Sequence, residues 1–219
     1  MKSMIKLFKK DLKLNMPKPL YLFALLGAMI IIPNYPYIVG TGYTIMHIML
    51  YLQFSNENRS QEFSATLPIR RRDIVSSTTA VFVLCQLLNV AVSAVCAYPS
   101  RLINPNVYNF VGLDANLTFF GVALAALGLF NLVVIPRYFK TGYKYGVTLV
   151  LGLLTFVAFY LVCELPIQLI PALTVSLDGY DLAYIWARLT VLLAGVIMYC
   201  VFTYLANRIA IKKFERVNL

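Results

Sequence analysis

The sequence predicts an all-α integral membrane protein of six transmembrane helices, and three observations carry that prediction. Hydrophobic residues make up 60% of the 219 positions and charged residues only 13%, against about half and a quarter in soluble domains. Apolar runs of roughly twenty residues recur with almost no charge, the length that crosses a hydrocarbon core of about 30 Å. The basic residues behind the net charge of +10 cluster at the flanks of those runs, where they report orientation instead of nucleic-acid binding. A single membrane domain over 1–219 accounts for the chain. Cys85, Cys96, Cys163 and Cys200 form no C-x-x-C pair, which points to neither a disulfide framework nor a thiolate metal site.

Residues 1–15 place Met1, Ile5, Phe8 and Leu12 on one helical stripe, with Lys2, Lys6, Lys9, Lys10 and Lys13 over the rest. This is the pattern of an amphipathic interfacial helix whose lysines meet anionic lipid, each worth about 1 kcal/mol near such a surface. No A-x-A-like cleavage site follows Ile32, so the lysine-led apolar run is expected to stay as a first span and not act as a cleaved signal. From Pro19 to Phe54 there is no charge at all. As one helix these residues would be about 54 Å long, so Pro33-Asn34-Tyr35-Pro36 is read as the turn of a hairpin with spans at 19–34 and 37–54.

A polar stretch, 56–73, interrupts the apolar pattern for longest. It holds Glu57, Arg59, Glu62, Phe63, Leu67, Pro68, Arg70, Arg71, Arg72 and Asp73. The third span follows at 74–98, with Asp73 as its N-cap and Pro99 closing it. Gln86 and Asn89 lie inside it and are expected to face other helices, because an amide in lipid wants a partner. A polar loop over 100–114 leads to a fourth span, 117–135, whose Gly and Ala permit close helix approach. A basic loop at 136–144 precedes the fifth span, 147–163. The segment 164–185 carries Pro166, Pro171, Glu164, Asp178 and Asp181, which fits short re-entrant or interfacial pieces better than a spanning helix. The last span covers 186–205 and ends in a tail bearing Arg208, Lys212, Lys213 and Arg216.

Six spans put both termini and the loops after spans two and four on one side, and that side holds 17 of the 19 Lys and Arg residues. The rule that positive charge stays inside assigns it to the cytoplasm of a plasma membrane, with Glu164, Asp178 and Asp181 outside.

Little in the chain points to chemistry. His47 stands alone in the second span and reads as a packed core histidine; Glu57 and Glu62 belong to a solvated loop. There is no H-E-x-x-H, no G-x-S-x-G and no G-x-x-x-x-G-K-[ST] phosphate loop. The span centres carry no ionisable group of the kind that marks ion-driven transporters, and no inverted repeat is visible. The chain is not expected to be an enzyme or to bind ATP or another cofactor; energy for transport would come from another polypeptide.

This arrangement resembles the permease subunits of ABC-2 type transporters over nearly the whole chain. Its most specific element is 62–75, where an acidic and apolar helix is followed by Leu67-Pro68, then Arg71 with Asp73, then Ile74-Val75 entering the third span. Arg70 stands where that family more often has a small polar residue. The resemblance implies a coupling helix between spans two and three, with Glu57, Arg59, Glu62, Phe63, Leu67, Pro68, Arg70, Arg71, Arg72 and Asp73 as the ATPase-coupling residues. It implies two cytoplasmic ABC ATPase subunits holding the ATP and Mg, a second permease copy or paralogue, and membrane lipid as surroundings. It also implies export of an amphipathic or hydrophobic substrate, such as an antimicrobial or cytolytic peptide, from a bacterial cell. Physical reasoning on the same stretch expects a helix over 57–66 ended by Leu67-Pro68, Phe63 as a buried anchor in the partner, and Arg70–Arg72 at the lipid surface or on partner acids. The rival reading is a membrane immunity or assembly protein that binds a toxin or membrane partner without transporting anything.

Overall fold

The computed structural model describes residues 2–103, 109 and 111–216, and among these every regular element is helical. In order they are α1 (Lys2–Leu14), a 3₁₀ helix (Lys18–Ile31), α2 (Tyr37–Glu57), α3 (Ser60–Thr66), α4 (Arg71–Ile103), α5 (Leu117–Lys140) and α6 (Gly146–Leu169). Then come the single turn α7 (Pro171–Leu173), a π turn (Thr174–Asp178), a 3₁₀ turn (Leu182–Tyr184) and α8 (Ile185–Phe214).

The N-terminal hairpin forms where the two prolines require it, with Asn34 at a left-handed φ of 55° in the turn. Its first arm has only 14 residues, about 21 Å as an α-helix. Wound as a 3₁₀ helix at about 2.0 Å per residue it reaches about 28 Å. Side chains three apart then eclipse, and Ala24, Gly27 and Ile30 make one buried face. That face lies against α4. Ser93 and Ser100 donate to the carbonyls of Gly27 (3.0 Å) and Ile30 (2.8 Å), and a Cβ on Gly27 would lie 2.5 Å from the Asn89 carbonyl oxygen.

The centre of the molecule is α5, buried along most of its length and packed on α8. Gly121 and Gly195 meet backbone to backbone, and a Cβ on Gly128 would sit 2.7 Å from the Tyr199 Cα. The expected close approach of the Gly- and Ala-rich span is therefore present. The amides of α4 also face inward as expected. Gln86 and Asn131 exchange hydrogen bonds of 2.8 and 2.9 Å, Tyr199 donates to Gln86 at 2.8 Å, and Asn131 donates to Thr203 at 3.0 Å. Asn89 donates to the Gly40 carbonyl at 3.2 Å. His47 is buried with its Nε2 3.7 Å from the Cys85 sulfur and its ring near Phe23, a packed core histidine.

Among the described residues, four helical segments are long and apolar enough to cross a membrane: α4, α5, α6 and Leu182–Phe214. A fifth arises if α1 and the 3₁₀ helix, bent by 87°, form one broken span. The difference from six lies in the hairpin. Its first arm is short, and α2 spends Thr41, Thr44, His47 and Ser55 on the protein interior, which lowers its apolar content without shortening it.

Several boundaries differ from the sequence expectation. Pro99 does not close the third span: α4 runs on to Ile103, because a proline near a helix end removes only one hydrogen bond. For the same reason α5 passes Pro136 to Lys140 and α6 passes Pro166 to Leu169. The basic loop shrinks to Thr141–Tyr145, where Gly142 and Tyr143 take left-handed φ values of 63° and 68°. Asp73 is not an N-cap but sits in the first turn of α4, accepting from Ser3. The loop expected over 100–114 is helical to Ile103; residues 104–108 and 110 lie outside the described residues.

At the end of the bundle away from the basic segments, the broken pieces after α6 fold over the start of α5. The Asp114 amide donates to Asp178 (2.7 Å), the Leu113 amide to Glu164 (3.0 Å), and the Asn116 side chain to the Leu177 carbonyl (2.9 Å) while capping α5. Buried Arg188 donates to the carbonyls of Ser176 (3.1 Å) and Asp181 (3.0 Å). Burial, and then the neighbouring Asp178 carboxylate, push Asp114 up to about 6, against the Asn109 amide and Arg101, which pull it down.

A carboxyl raised in this way favours the protonated fold, so its contribution is full below about pH 4 and lost as pH rises through about 6. Melting curves between pH 4 and 7 are expected to show greater stability at the acid end, and Asp114→Asn to flatten that dependence. Gly195→Val is expected to cost at least 1–3 kcal/mol through overpacking against Gly121, read as a lower melting temperature or loss of the folded protein from membranes.

Candidate functional site

One polar surface is built where the basic segments converge. Helix α2 stops at Glu57 because Arg59 adopts a left-handed φ of 47°, and the chain re-enters a helix at Ser60. That helix, α3, ends at Thr66, with Leu67 extended ahead of Pro68, as the residue before a proline favours. The expected helix therefore exists in a shorter form, 60–66, and Glu57 belongs to α2.

Seven residues are too few for a helix to stand alone in water, so neighbours must hold α3. Its inner face is polar and buried: Ser60, Gln61 and Ser64. The Lys10 ammonium of α1 donates to the Ser60 carbonyl (3.2 Å), the Ser60 hydroxyl (2.9 Å) and the Ser64 hydroxyl (2.6 Å), and lies 3.1 Å from Asp11. Asp11 is itself buried and accepts from Asn15 (3.1 Å) and from Ser77 of α4 (2.9 Å). Gln61 donates to Thr78 of α4 at 3.1 Å, and Asn15 donates to the Ser60 hydroxyl at 3.0 Å. Helices α1, α3 and α4 thus share one polar tie around the ion pair of half-buried Lys10 and buried Asp11, and each member is hydrogen-bonded as a charge withdrawn from water requires.

Pinning 60, 61 and 64 turns the remaining face outward. Glu62 is exposed, Phe63 is 60% exposed and Leu67 38%. Pro68, Arg59 and Arg70 are exposed beside them. Glu57 is exposed and accepts from Gln53 within α2 at 2.9 Å. An apolar ring left in solvent on a helix whose other face is fixed is a ready contact for a second protein.

The three arginines separate. Arg71 turns inward and donates to the carbonyls of Phe214 (2.9 Å) and Glu215 (3.3 Å), with its guanidinium 5.3 Å from the Phe214 ring centroid. It caps the C-terminus of α8, where unpaired carbonyls and the helix dipole favour a cation. The sequence reading placed it at the lipid surface or on a partner; the reason for the difference is that α8 continues past Leu205 and buries Phe214 against Phe139 and Tyr143. Arg72 is exposed and 3.8 Å from Asp73. Asp73 is buried and holds Ser3 of α1, so it serves the fold and not the exposed face.

The lysines divide too. Lys6, Lys9 and Lys13 are exposed as expected, whereas Lys10 points into α3. Lys2 begins α1, and its side chain lies outside the described residues. The stripe that docks is Leu7, Asp11 and Asn15, not Ile5, which stays 45% exposed; Phe8 and Leu12 are half-buried at its edge. Sequence reasoning gave Lys10 to the membrane surface and missed Asp11, Asn15, Gln61 and Ser77. The usable signal was Asp11 as the lone acid in a lysine-rich arm, and the polar run Ser76-Ser77-Thr78-Thr79 at the start of a membrane span.

A family model described as ABC-2 family transporter protein matches residues 6–215, nearly the whole chain, from within α1 to the end of α8. The chain belongs to the ABC-2 transporter family. Comparison with curated proteins and with solved structures gives no match. As an ABC-2 family protein it is a multi-pass membrane component of an ABC transporter, not itself the ATPase, and its family implies an ATPase partner. Residues 60–67 of this ABC-2 protein stand out on the basic end of the bundle.

Removing the lysine that fastens α3 tests the tie directly. Lys10→Met is expected to leave the bundle folded while loosening 60–66 by about 1.5–3 kcal/mol, the worth of hydrogen bonds to a charged group. Faster amide exchange confined to α3 and α1 is the measurement.

Proposed function

We propose that the chain is one transmembrane half of an ATP-driven exporter, pairing with a second copy or a related permease and attached to two cytoplasmic ATPase subunits that hold the ATP and Mg. The carrying observation is Phe63, 60% exposed on a helix pinned along its other face. In this reading α3 is the coupling helix, with Phe63 and Leu67 entering a groove of the ATPase while Glu62 and Arg59 fix orientation. Displacement of α3 by ATP-driven closure reaches α1 through Lys10 and α4 through Gln61.

The reading takes the 3₁₀ helix and α2 as spans one and two, completing six, with both termini in the bacterial cytoplasm. Support comes from the convergence of α1, α3, the α5–α6 turn and the end of α8 at one end of the molecule, joined by Arg71 to Phe214 and by Asn56 to the Tyr143 carbonyl (3.0 Å). The pieces over 171–184 act as the re-entrant cap at the outer end. An apolar groove of about 650 Å³ between α2 and α6, lined by Ile38, Met46, Met49, Leu149, Leu153 and Phe156, offers a lateral surface for an amphipathic or hydrophobic cargo such as a cytolytic peptide, or for the second permease.

Phe63→Asp is expected to weaken the complex with the ATPase by at least about 2 kcal/mol, roughly thirty-fold, with the permease still folded. Co-purification with its ABC ATPase subunit is the assay, and an undiminished complex would falsify the coupling role. A cysteine placed at position 62 is expected to react with an impermeant thiol reagent only from the cytoplasmic side.

A further inference from the structure

On α1 the exposed lysines and the half-buried apolar residues are neighbours. At about 100° per residue, the docked stripe Leu7–Asp11–Asn15 is followed around the helix by Phe8, Leu12 and Ile5, and these by Lys9, Lys13 and Lys6. Lys10 and Ser3 lie on the opposite flank, turned to α3 and Asp73. The helix therefore has its positive stripe directly beside its lipid-edge apolar stripe, on the side away from the coupling face.

Beneath Phe8 an apolar groove of about 340 Å³ opens, lined by Phe8, Ala80, Val83, Leu84, Leu87 and Leu88. The five α4 residues repeat at three- and four-residue spacing, so they form one face of that helix and extend about 12 Å along it. The direction is informative. The groove starts at the interfacial helix, whose axis turns by 87° into the following helix, and runs along α4 toward the middle of the bundle. A molecule with an anionic head at the membrane surface and a straight apolar tail matches both its charge and its course. Lys6, Lys9 and Lys13 are exposed, and among the described residues none of them forms an ion pair.

We propose that the groove between α1 and α4 is a binding site for one anionic phospholipid of the cytoplasmic leaflet, its tail against Leu84, Leu87 and Leu88 and its phosphate held by Lys9 and Lys13. This is a defined site for a single lipid, distinct from general attraction of a basic helix to the surface, and it does not depend on what the transporter exports. A bound lipid here wedges the helix that holds α3, so lipid identity would set how firmly that helix is seated.

The test uses the full chain in nanodiscs of equal phosphatidylglycerol and phosphatidylcholine, with retained lipid counted by native mass spectrometry after extraction. One phosphatidylglycerol per chain is expected to persist. Ala80→Trp, which fills the groove, and the double substitution Lys9→Glu with Lys13→Glu, which touches only exposed side chains, are each expected to lower its occupancy about tenfold. Equal retention of the two headgroups in the unsubstituted chain would overturn the site. So would lipid retained in a folded Ala80→Trp protein, since the tail would then lie elsewhere. Should Ala80→Trp fail to fold, the lysine pair decides alone: unchanged occupancy refutes the proposal, and a tenfold loss supports it.

Discussion

The backbone contact between Gly121 and Gly195 sets the frame for the rest of the molecule. In a bilayer the surroundings are as apolar as the helices, so burial of leucine supplies little force between spans, and close packing with internal hydrogen bonds has to supply it. Two glycines facing each other let α5 and α8 approach until main chains touch. At that separation Tyr199 and Thr203 of α8 reach the Gln86–Asn131 pair, and α4 is drawn onto the same axis. The 3₁₀ helix then leans on α4 through Gly27, Ser93 and Ser100. A side chain at Gly195 would push out the whole sequence of contacts.

The basic end follows a different rule. There the elements are short or amphipathic and are fixed by charge and polarity instead of close packing. The ion pair of half-buried Lys10 and buried Asp11 lies at the meeting of α1, α3 and α4, and its cost in desolvation is offset because each member has several partners. Arg71 plays a matching part at the end of α8. What remains unused by these ties is left facing outward: Glu62, Phe63 and Leu67 on one side, Lys6, Lys9 and Lys13 on another. The division of one basic surface into a patch around an apolar ring and a patch of lysines comes from which residues the interior consumed.

Much of the architecture was legible in one dimension. Apolar runs, the Pro33–Pro36 break, the Leu67-Pro68 stop, and the placement of Gln86 and Asn89 toward other helices all rest on local chemistry, and each is present. The first arm was legible as a span over 19–34, whereas its 3₁₀ winding was not, since winding is chosen by what α4 presents to it. Helix ends near prolines were read too early at Pro99, Pro136 and Pro166, because a proline near an end costs a single bond and packing beyond it can restore the helix.

For the candidate site the split is sharper. Residue types and spacing by themselves determined that the chain lives in a membrane, that a polar stretch at 56–73 lies on the positive side, and that a helix there stops before Pro68. Only the tertiary structure decided which residues of that stretch are free. Arg71 and Asp73 had the same standing in the sequence as Phe63, yet they were taken up by partners 143 and 70 positions away. Lys10 looked like any other lysine of an interfacial helix until Ser60 and Ser64 were brought against it. A charged side chain carries no mark of its future partner, because the partner is set by how the helices stack, and that depends on residues such as Gly121 and Gly195 far from either end.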